Sequence, residues 1–165
     1  MTISVQIFGA EAAEMLSEMQ ARSFQGTGEQ LWSREAFDEL LQSSGTGALV
    51  LLEHDEAVGF LMWRQVADEA EILTTAVLPT HRKRGLGYRM LQEFYAQAKV
   101  GGVREIFLEV REDNRAATGL YVKSGFEVVG RRKNYYGGKG GKKQDALIMK
   151  YSFMLRDCVM EEGRF

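Results

Sequence analysis

The feature that most constrains this chain is the passage from a short apolar strand into a helix opened by glycines. The strand, Ile72 to Val77, is predicted to end at Leu78-Pro79, because proline supplies no amide hydrogen and biases the preceding residue towards extended backbone. The sequence from Gly101 ends the helical pattern. Between these limits the apolar residues recur with the spacing of one helix face, at Met90, Leu91, Phe94 and Ala98.

Gly85 and Gly87 stand where this helix begins, directly after the basic run Arg82-Lys83-Arg84. The first turn of a helix has four unpaired amide groups and the positive end of the macrodipole, and glycine lets an anion approach that backbone closely. The pattern predicts a phosphate or pyrophosphate site, with a tight turn and a solvated basic edge as the alternative. The spacing excludes the Gly-X-Gly-X-X-Gly loop, because position 90 is Met90, and no Walker sequence is present.

Length and composition predict one globular domain, residues 1–151, followed by a C-terminal tail, residues 152–165. A chain of 165 residues with 45% hydrophobic content is long enough for a sizeable core, since chains of about 150 residues bury roughly two-thirds of their unfolded surface. The net charge of -2 argues against general nucleic-acid binding. A local basic cluster is interpreted as a solvated loop or a site for a phosphorylated or acidic partner; it comprises Arg131, Arg132, Lys133, Lys139, Lys142 and Lys143.

The sequence predicts no leader, no membrane segment and no metal site. The longest early apolar run, Ala48 to Leu52, is too short to cross a membrane, and no basic region precedes an apolar stretch at the amino terminus. We therefore expect a soluble, cytoplasmic protein. Cys158 is the only cysteine, so we expect no internal disulfide, and with His54 and His81 it forms a poor set of metal ligands.

Hydrophobic periodicity predicts the remaining elements and, with them, an α+β or α/β fold with a mixed sheet. Ser33 is expected to cap the second helix of a helix-loop-helix unit at residues 10–43, and Asn114 to cap a short later helix. Because a crossover helix joins parallel neighbours, the strands Ile72–Val77 and Arg104–Val110 should pair in parallel. The other predicted strands are residues 4–8, 48–53, 57–65, 126–129 and 146–151.

Glu109 is the polar residue of the apolar strand 106–110. A carboxylate in such a strand either pairs with a cation, such as Arg104 or Arg111, or takes part in acid-base chemistry. Tyr121, on the following helix, suits a core position when considered alone. Taken alone, each of these residues has an ordinary structural explanation. Because they follow directly on the basic glycine loop, that explanation is less persuasive for all of them together.

The run Arg82-Lys83-Arg84-Gly85-Leu86-Gly87 resembles the acetyl-CoA pyrophosphate loop of the GNAT superfamily of N-acetyltransferases, whose pattern is Gln/Arg-X-X-Gly-X-Gly/Ala. Residues 108–114, Leu120-Tyr121 and Ser124-Gly125-Phe126 are similar to the second half of that family's core. The resemblance implies a mixed, mostly antiparallel sheet with a central parallel strand pair and flanking helices.

Within this family the chain most resembles the ribosomal-protein-alanine N-acetyltransferases. Trp32-Ser33, residues 132–136 and residues 145–149 are similar to landmarks of that subgroup. The chain departs from its pattern at Leu31, where the subgroup usually has proline, and in the glycine- and lysine-rich run Gly137 to Lys143.

The resemblance implies that Glu109 accepts a proton and that Tyr121 donates one to the departing thiolate. Tyr135 and Tyr136 would lie on the acceptor side. It implies an acetyl-CoA site formed by Thr75, Ala76, Val77, Arg82, Lys83, Arg84, Gly85, Leu86, Gly87 and Asn114, and no metal.

These observations leave three possible functions open. The leading hypothesis is direct acetyl transfer to the N-terminal α-amine of a protein such as a ribosomal protein. At pH 7, deprotonating an α-amine of pKa about 8 costs roughly 1 kcal/mol, against more than about 4 kcal/mol for a lysine. The alternatives are acetylation of a small amine or a lysine, and a non-catalytic acyl-CoA-binding module.

Overall fold

The computed structural model describes residues 2–137 and 143–153, and within them one seven-stranded sheet carries four α-helices. The helices are α1 (Ala13–Phe24), α2 (Arg34–Gln42), α3 (Leu86–Val100) and α4 (Arg115–Lys123). The strands are β1 (Ile3–Phe8), β2 (Thr46–Glu53), β3 (Glu56–Val66), β4 (Glu69–Val77), β5 (Glu105–Arg111), β6 (Glu127–Gly137) and β7 (Lys143–Ser152). Short 3-10 turns occupy Ala10–Ala12 and Pro79–His81.

The sheet order is β1-β2-β3-β4-β5-β7-β6, and the β4–β5 pair is parallel whereas the other neighbours are antiparallel. The predicted α+β class and the central parallel pair are therefore confirmed. The last strand, β7, lies between β5 and β6, so residues of β6 are placed beside the end of β5 across one intervening strand.

Two of the helices, α2 and α4, begin where a local side chain accepts a hydrogen bond from a first-turn backbone amide. The Ser33 hydroxyl accepts a hydrogen bond from Ala36 N at 3.1 Å, and the Asn114 carboxamide oxygen accepts one from Ala117 N at 3.1 Å. Both predicted caps are confirmed. α3 differs, because its N-cap residue is Gly85, which has a left-handed backbone with φ of 74° and offers no side-chain cap.

Two hydrophobic clusters cover the two faces of the sheet. Alternate residues of β2 point to opposite faces, so Leu49 and Leu51 belong to one cluster while Ala48 and Val50 belong to the other. α3 and α4 pack on the first face, and α1 and α2 on the second. Burying one large apolar side chain stabilises the fold by about 1.5–3 kcal/mol, so both helical layers hold the sheet firmly.

Three strands are longer than the sequence pattern indicates. β4 begins at Glu69 rather than Ile72, β6 continues to Gly137, and β7 begins at Lys143. β6 lies at the edge of the sheet, so its exposed polar residues show no apolar alternation. Residues 138–142 and the tail from 154 onwards, with Cys158, lie outside the described residues.

Candidate active site

A cleft opens in the sheet where β4 and β5 diverge. Their parallel pairing extends from Glu69 and Glu105 to Ile72 and Leu108, although both strands continue beyond that point. Two cavities, of about 350 and 120 Å³, lie at the divergence. They lie side by side, because they share the lining residues Phe24, Glu29, Ile72, Leu73, Thr74 and Glu109.

The larger cavity is bounded by polar side chains and by the segment between α1 and α2. The buried Gln20 carboxamide holds this segment, because its oxygen accepts a hydrogen bond from Trp32 N at 2.6 Å and its nitrogen donates to Thr74 Oγ1 at 3.3 Å. Trp32 packs against Phe37, with ring centroids 5.2 Å apart. The remaining lining residues are Gln30, Glu71, Arg132 and Tyr135.

Glu109 lies at the junction of the two cavities and forms an ion pair with Arg132, whose Nη2 is 2.9 Å from Glu109 Oε1. The prediction that Glu109 pairs with a cation such as Arg104 or Arg111 is therefore wrong in its choice of partner. Arg132 comes from β6, and the pairing arises because β7 brings β6 alongside β5. The Arg132 guanidinium also lies over the Tyr135 ring, 5.3 Å from its centroid.

The smaller cavity contains Tyr121, Asn114 and Thr75. Tyr121 is only 6% exposed and packs edge-on against Phe126, with centroids 5.7 Å apart. The Thr75 hydroxyl donates to the Phe60 carbonyl at 3.0 Å, which fixes its side chain to the neighbouring strand. One cavity thus brings together three residues that the sequence separates widely.

Arg111 ends β5 beneath the α1–α2 segment and forms two hydrogen bonds of 3.0 Å with the Asp113 carboxylate. The Glu29 carboxylate is farther away, at 3.9 Å from Arg111 Nε, and faces both cavities. Burial raises the pKa of Glu29; the charge of Arg111 lowers it in opposition. Glu29 is therefore a partly desolvated carboxylate with a loosely placed cation.

The glycine loop, residues 82–87, joins β4 to α3. A Cβ atom on Gly85 would meet open space, whereas one on Gly87 would lie 2.9 Å from Leu120 Cδ2. Gly85 therefore leaves the helix end accessible, and Gly87 allows α3 to approach α4. The amide groups of the first helical turn have no intrahelical acceptors, so they remain available as donors to an anion.

Two arginines of the glycine loop contact protein atoms. Arg82 donates from Nη2 to the Ser23 carbonyl at 2.8 Å and from Nε to the Val77 carbonyl at 3.2 Å. Arg84 donates from Nη2 to Glu53 Oε1 at 2.6 Å. The sequence suggested that these charges face a phosphate; the structure directs both side chains to anchoring contacts.

The structure places the candidate residues in two groups. Glu109, Tyr121, Asn114 and Thr75 line the smaller cavity, and Tyr135 lines the larger one. The glycine loop is not among the lining residues of either cavity, and the side chain of Tyr136 lies outside the part of the chain that the structure describes.

Four polar residues of the cleft and of the glycine-loop anchor were not predicted from the sequence. Gln20 and Glu29 lie in stretches whose pattern indicated only a helix and its end, and Glu53 was assigned to a strand end. Arg132 was named in a basic cluster and in the subgroup landmark 132–136, but not as a partner of Glu109. The sequence offered two signals for them. Gln20 stands four residues after Leu16, on the apolar face of the first predicted helix, and Glu29 is an acidic residue beside Gly26 and Gly28.

The parallel pair that diverges beside a helix opened by glycines agrees with the fold implied by the resemblance to N-acetyltransferases. The chain belongs to the acetyltransferase (GNAT) family, whose family model matches residues 13–126. This confirms the family suggested by the glycine loop.

Two proteins that are similar to this chain carry the same enzyme name. The [ribosomal protein bS18]-alanine N-acetyltransferase of Haemophilus influenzae is 41% identical over 101 residues, which cover 61% of this chain and 68% of that protein. The enzyme of the same name from Haemophilus ducreyi is 32% identical over 120 residues, covering 72% of this chain and 81% of that one.

Solved structures agree with this likeness. The ribosomal-protein-S18-alanine N-acetyltransferase of Escherichia coli matches with a TM-score of 0.84 and 26% identity, over 92% of this chain and 94% of that chain. Arabidopsis thaliana NAA60, solved in complex with acetyl-CoA, matches with a TM-score of 0.77 and 19% identity, over 93% of this chain and 99% of that chain, and so shares the fold.

Among residues 2–137 and 143–153, no helix has the length and apolar character needed to span a bilayer. Within the same residues, no group of three or more His, Cys, Asp or Glu side chains is arranged to hold a metal ion.

Proposed function

We propose that this N-acetyltransferase transfers the acetyl group of acetyl-CoA directly to the N-terminal α-amine of a ribosomal protein. One observation carries the proposal: Glu109 lines both a small cavity, which Tyr121 also lines, and an adjoining larger, polar cavity in which an acceptor could lie. The names of the Haemophilus and Escherichia coli relatives support this acceptor. Residues 1–151 form the catalytic domain in this proposal, and the enzyme acts in the cytoplasm, where ribosomal proteins are made.

Acetyl-CoA fits the donor end of the cleft. The first amides of α3 suit its pyrophosphate, and the edge of β4 at residues 75–77 suits its pantetheine arm, because β4 has left its pairing with β5 there. Asn114 lies at the smaller cavity, where its carboxamide caps α4 and orders the wall nearest the thioester. The glycine loop supplies backbone donors, while Arg82 and Arg84 hold that backbone in place.

The reaction requires one proton acceptor and one proton donor. The amine nitrogen attacks the thioester carbonyl carbon, a C–N bond forms, and the C–S bond then breaks to release the thiolate. Glu109 takes the proton that the ammonium must lose before it attacks, and Tyr121 gives its phenolic proton to the thiolate sulfur. The second proton, which the nitrogen loses as the amide forms, restores the Tyr121 phenol. The positions of Glu109 at the junction and Tyr121 in the smaller cavity support these roles.

The chemistry favours an α-amine over a lysine. An ordinary carboxylate is a weak base, so the acceptor that needs the least deprotonation reacts most readily. The larger cavity also presents the carboxylates of Glu29, Glu71 and Glu109, which suit an incoming ammonium group. Close ion pairs offset two of these charges, that of Glu109 with Arg132 and that of Glu71 with Arg64, whereas Glu29 lies 3.9 Å from its arginine.

Release of CoA thiol tests the proposal. The substrate is a peptide with the alanine-starting N-terminus of the organism's own ribosomal protein bS18, and the matched control is the same peptide with its α-amine already acetylated. We expect CoA release with the first peptide and only the background rate with the second. Equal rates above background with both peptides would assign the reaction to a lysine of the peptide. Background rates with both peptides would contradict the assignment of ribosomal protein bS18 as the acceptor.

A further inference from the structure

The carboxylate of Glu53, at the end of β2, makes contacts that the acetyl transfer described above does not use. Glu53 is buried, and its Oε1 accepts a hydrogen bond from Arg84 Nη2 at 2.6 Å. Its Oε2 contacts Arg84 Nη1 at 3.3 Å and His81 Nε2 at 2.9 Å. Both oxygens are therefore engaged by Arg84, which lies in the glycine loop, and one of them also by His81, which directly precedes it.

The contacts with Glu53 fix the orientations of the Arg84 and His81 side chains. Arg84 presents two nitrogens to the two oxygens of one carboxylate, the arrangement in which an arginine pair is most directional. His81 is itself oriented, because its Nδ1 lies 2.8 Å from the Thr80 hydroxyl. The hydrogen bond from Arg84 is the main cause that lowers the pKa of Glu53 to about 2, so the carboxylate is ionised at neutral pH.

The two anchoring arginines, Arg82 and Arg84, are each followed by a residue with left-handed backbone. Lys83 has a left-handed φ of 62°, and Gly85 has φ of 74°. A residue with a Cβ atom adopts this region at a cost of about 1 kcal/mol, so the conformation needs support from its surroundings. Arg82, which is bonded to the Ser23 and Val77 carbonyls, supplies that support on one side, and Arg84 supplies it on the other.

We propose that Glu53 is a positioning residue for acetyl-CoA binding: by holding Arg84 and His81, it keeps the amides at the start of α3 aimed at the pyrophosphate before acetyl-CoA arrives. Glu53 also offsets the charge of Arg84, so the loop binds the anion through its backbone rather than through that guanidinium. This inference rests on the proposed function of the glycine loop as the acetyl-CoA site.

The test compares Glu53→Ala and Glu53→Gln with Glu105→Ala, a control that removes a glutamate on β5 paired loosely with Lys150 at 3.9 Å. CoA binding is measured by calorimetry, and KM and kcat are measured for both substrates. We expect Glu53→Ala to weaken CoA binding and to raise KM for acetyl-CoA about tenfold, the equivalent of one charged hydrogen bond. The kcat at saturating acetyl-CoA and the acceptor KM should change less than about twofold.

A double-substitution cycle separates positioning from general destabilisation. Arg84→Ala should raise KM for acetyl-CoA to a similar extent, and Glu53→Ala combined with Arg84→Ala should add little, because both changes break one contact. Fully additive effects would overturn the proposal. If Glu53→Ala lowers the unfolding midpoint too far for assay, the nearly isosteric Glu53→Gln carries the test, since its amide also disrupts the paired geometry.

The outcomes distinguish this inference from the proposed function. CoA binding by the unchanged protein, with affinity in both Glu53 variants equal to that of Glu105→Ala, would overturn the role of Glu53 while leaving the acetyl-CoA site in place. A loss of kcat and of acceptor affinity together with CoA affinity would also overturn it. Absence of CoA binding by the unchanged protein would instead contradict the proposed function itself.

Discussion

The glycine loop and the larger cavity both depend on the divergence of β4 from β5, but they are built in different ways. The loop consists of consecutive residues whose backbone does the binding in our proposal, and its side chains anchor it. The larger cavity is lined by side chains from α1, the α1–α2 segment and strands β4, β5 and β6. A binding site made of backbone is fixed by local geometry, whereas a site made of side chains depends on how distant elements pack.

This difference predicts where single substitutions act. Changes in the glycine loop should alter acetyl-CoA affinity through backbone conformation and charge. Changes in the larger cavity should alter the chemical step or acceptor affinity and leave acetyl-CoA binding intact.

The largest effect is expected at the junction of the cavities. Glu109→Gln removes the proposed proton acceptor, so we expect kcat to fall by about 10²–10⁴-fold while acetyl-CoA affinity changes little. Single-turnover kinetics and calorimetry measure the two quantities. Tyr121→Phe should likewise lower kcat and preserve affinity.

Arg132→Met provides the matched control for Glu109. It breaks the same 2.9 Å ion pair but leaves the carboxylate in place. A fall in kcat as large as that of Glu109→Gln would mean that the ion pair, rather than proton transfer, accounts for the loss.

The next effect is expected in the glycine loop. Gly85→Asp places a negative charge on a residue with φ of 74°, so both backbone strain and charge repulsion should weaken acetyl-CoA binding, by more than about tenfold. Calorimetry measures the affinity. Gly85→Ala carries the strain without the charge and should weaken binding less; equal affinity in Gly85→Asp and the unchanged protein would remove the loop from the site.

A smaller effect is expected at Glu29. Its carboxylate is partly desolvated, and its Arg111 partner is 3.9 Å away, so an acceptor ammonium would improve its surroundings. We expect Glu29→Gln to raise the acceptor KM by about three- to tenfold, the effect of one modest ion pair, and to leave KM for acetyl-CoA unchanged. Glu35→Gln, on the first turn of α2, is the control. A change confined to KM for acetyl-CoA would contradict this assignment.

The smallest effect concerns acid stability near the glycine loop. Arg84 chiefly, with His81, lowers the pKa of Glu53 from 4.5 to about 2, so between these pH values the unfolded chain binds a proton that the folded chain does not. The stabilisation from Glu53 is present above about pH 4.5 and is lost as the pH falls towards 2. Urea midpoints of the unchanged protein and Glu53→Gln should therefore converge as the pH is lowered from 6 to 3; a constant difference would contradict this.

The same difference explains what could be predicted from the sequence. The strand, the turn and the glycine-opened helix depend on Pro79, Gly85 and local apolar spacing, so their order and the parallel pair were predicted. The caps by Ser33 and Asn114 are also local, each acting within one helical turn. Such features need no knowledge of the sheet order.

The larger cavity could not be predicted in this way. The ion pair of Glu109 with Arg132 requires β7, the last strand, to lie between β5 and β6. Gln20 and Glu29 gain their contacts only when α1 packs against β4. The assignments of Glu109, Tyr121 and Asn114 rested on family resemblance; the structure places them around one cavity, and their roles remain predictions.

The hydrogen bond from Arg82 to the Ser23 carbonyl ties the glycine loop to the last turn of α1, directly before the segment that carries Glu29. The start of α3 and the wall of the acceptor cavity therefore share one anchoring side chain, Arg82, through which binding at the two sites would be coupled. Thermodynamic reciprocity then requires that the acceptor alter acetyl-CoA affinity by the same factor as acetyl-CoA alters acceptor affinity. Such coupling is symmetric, so a contact made by Arg82 would change the affinities for both substrates together and by the same factor.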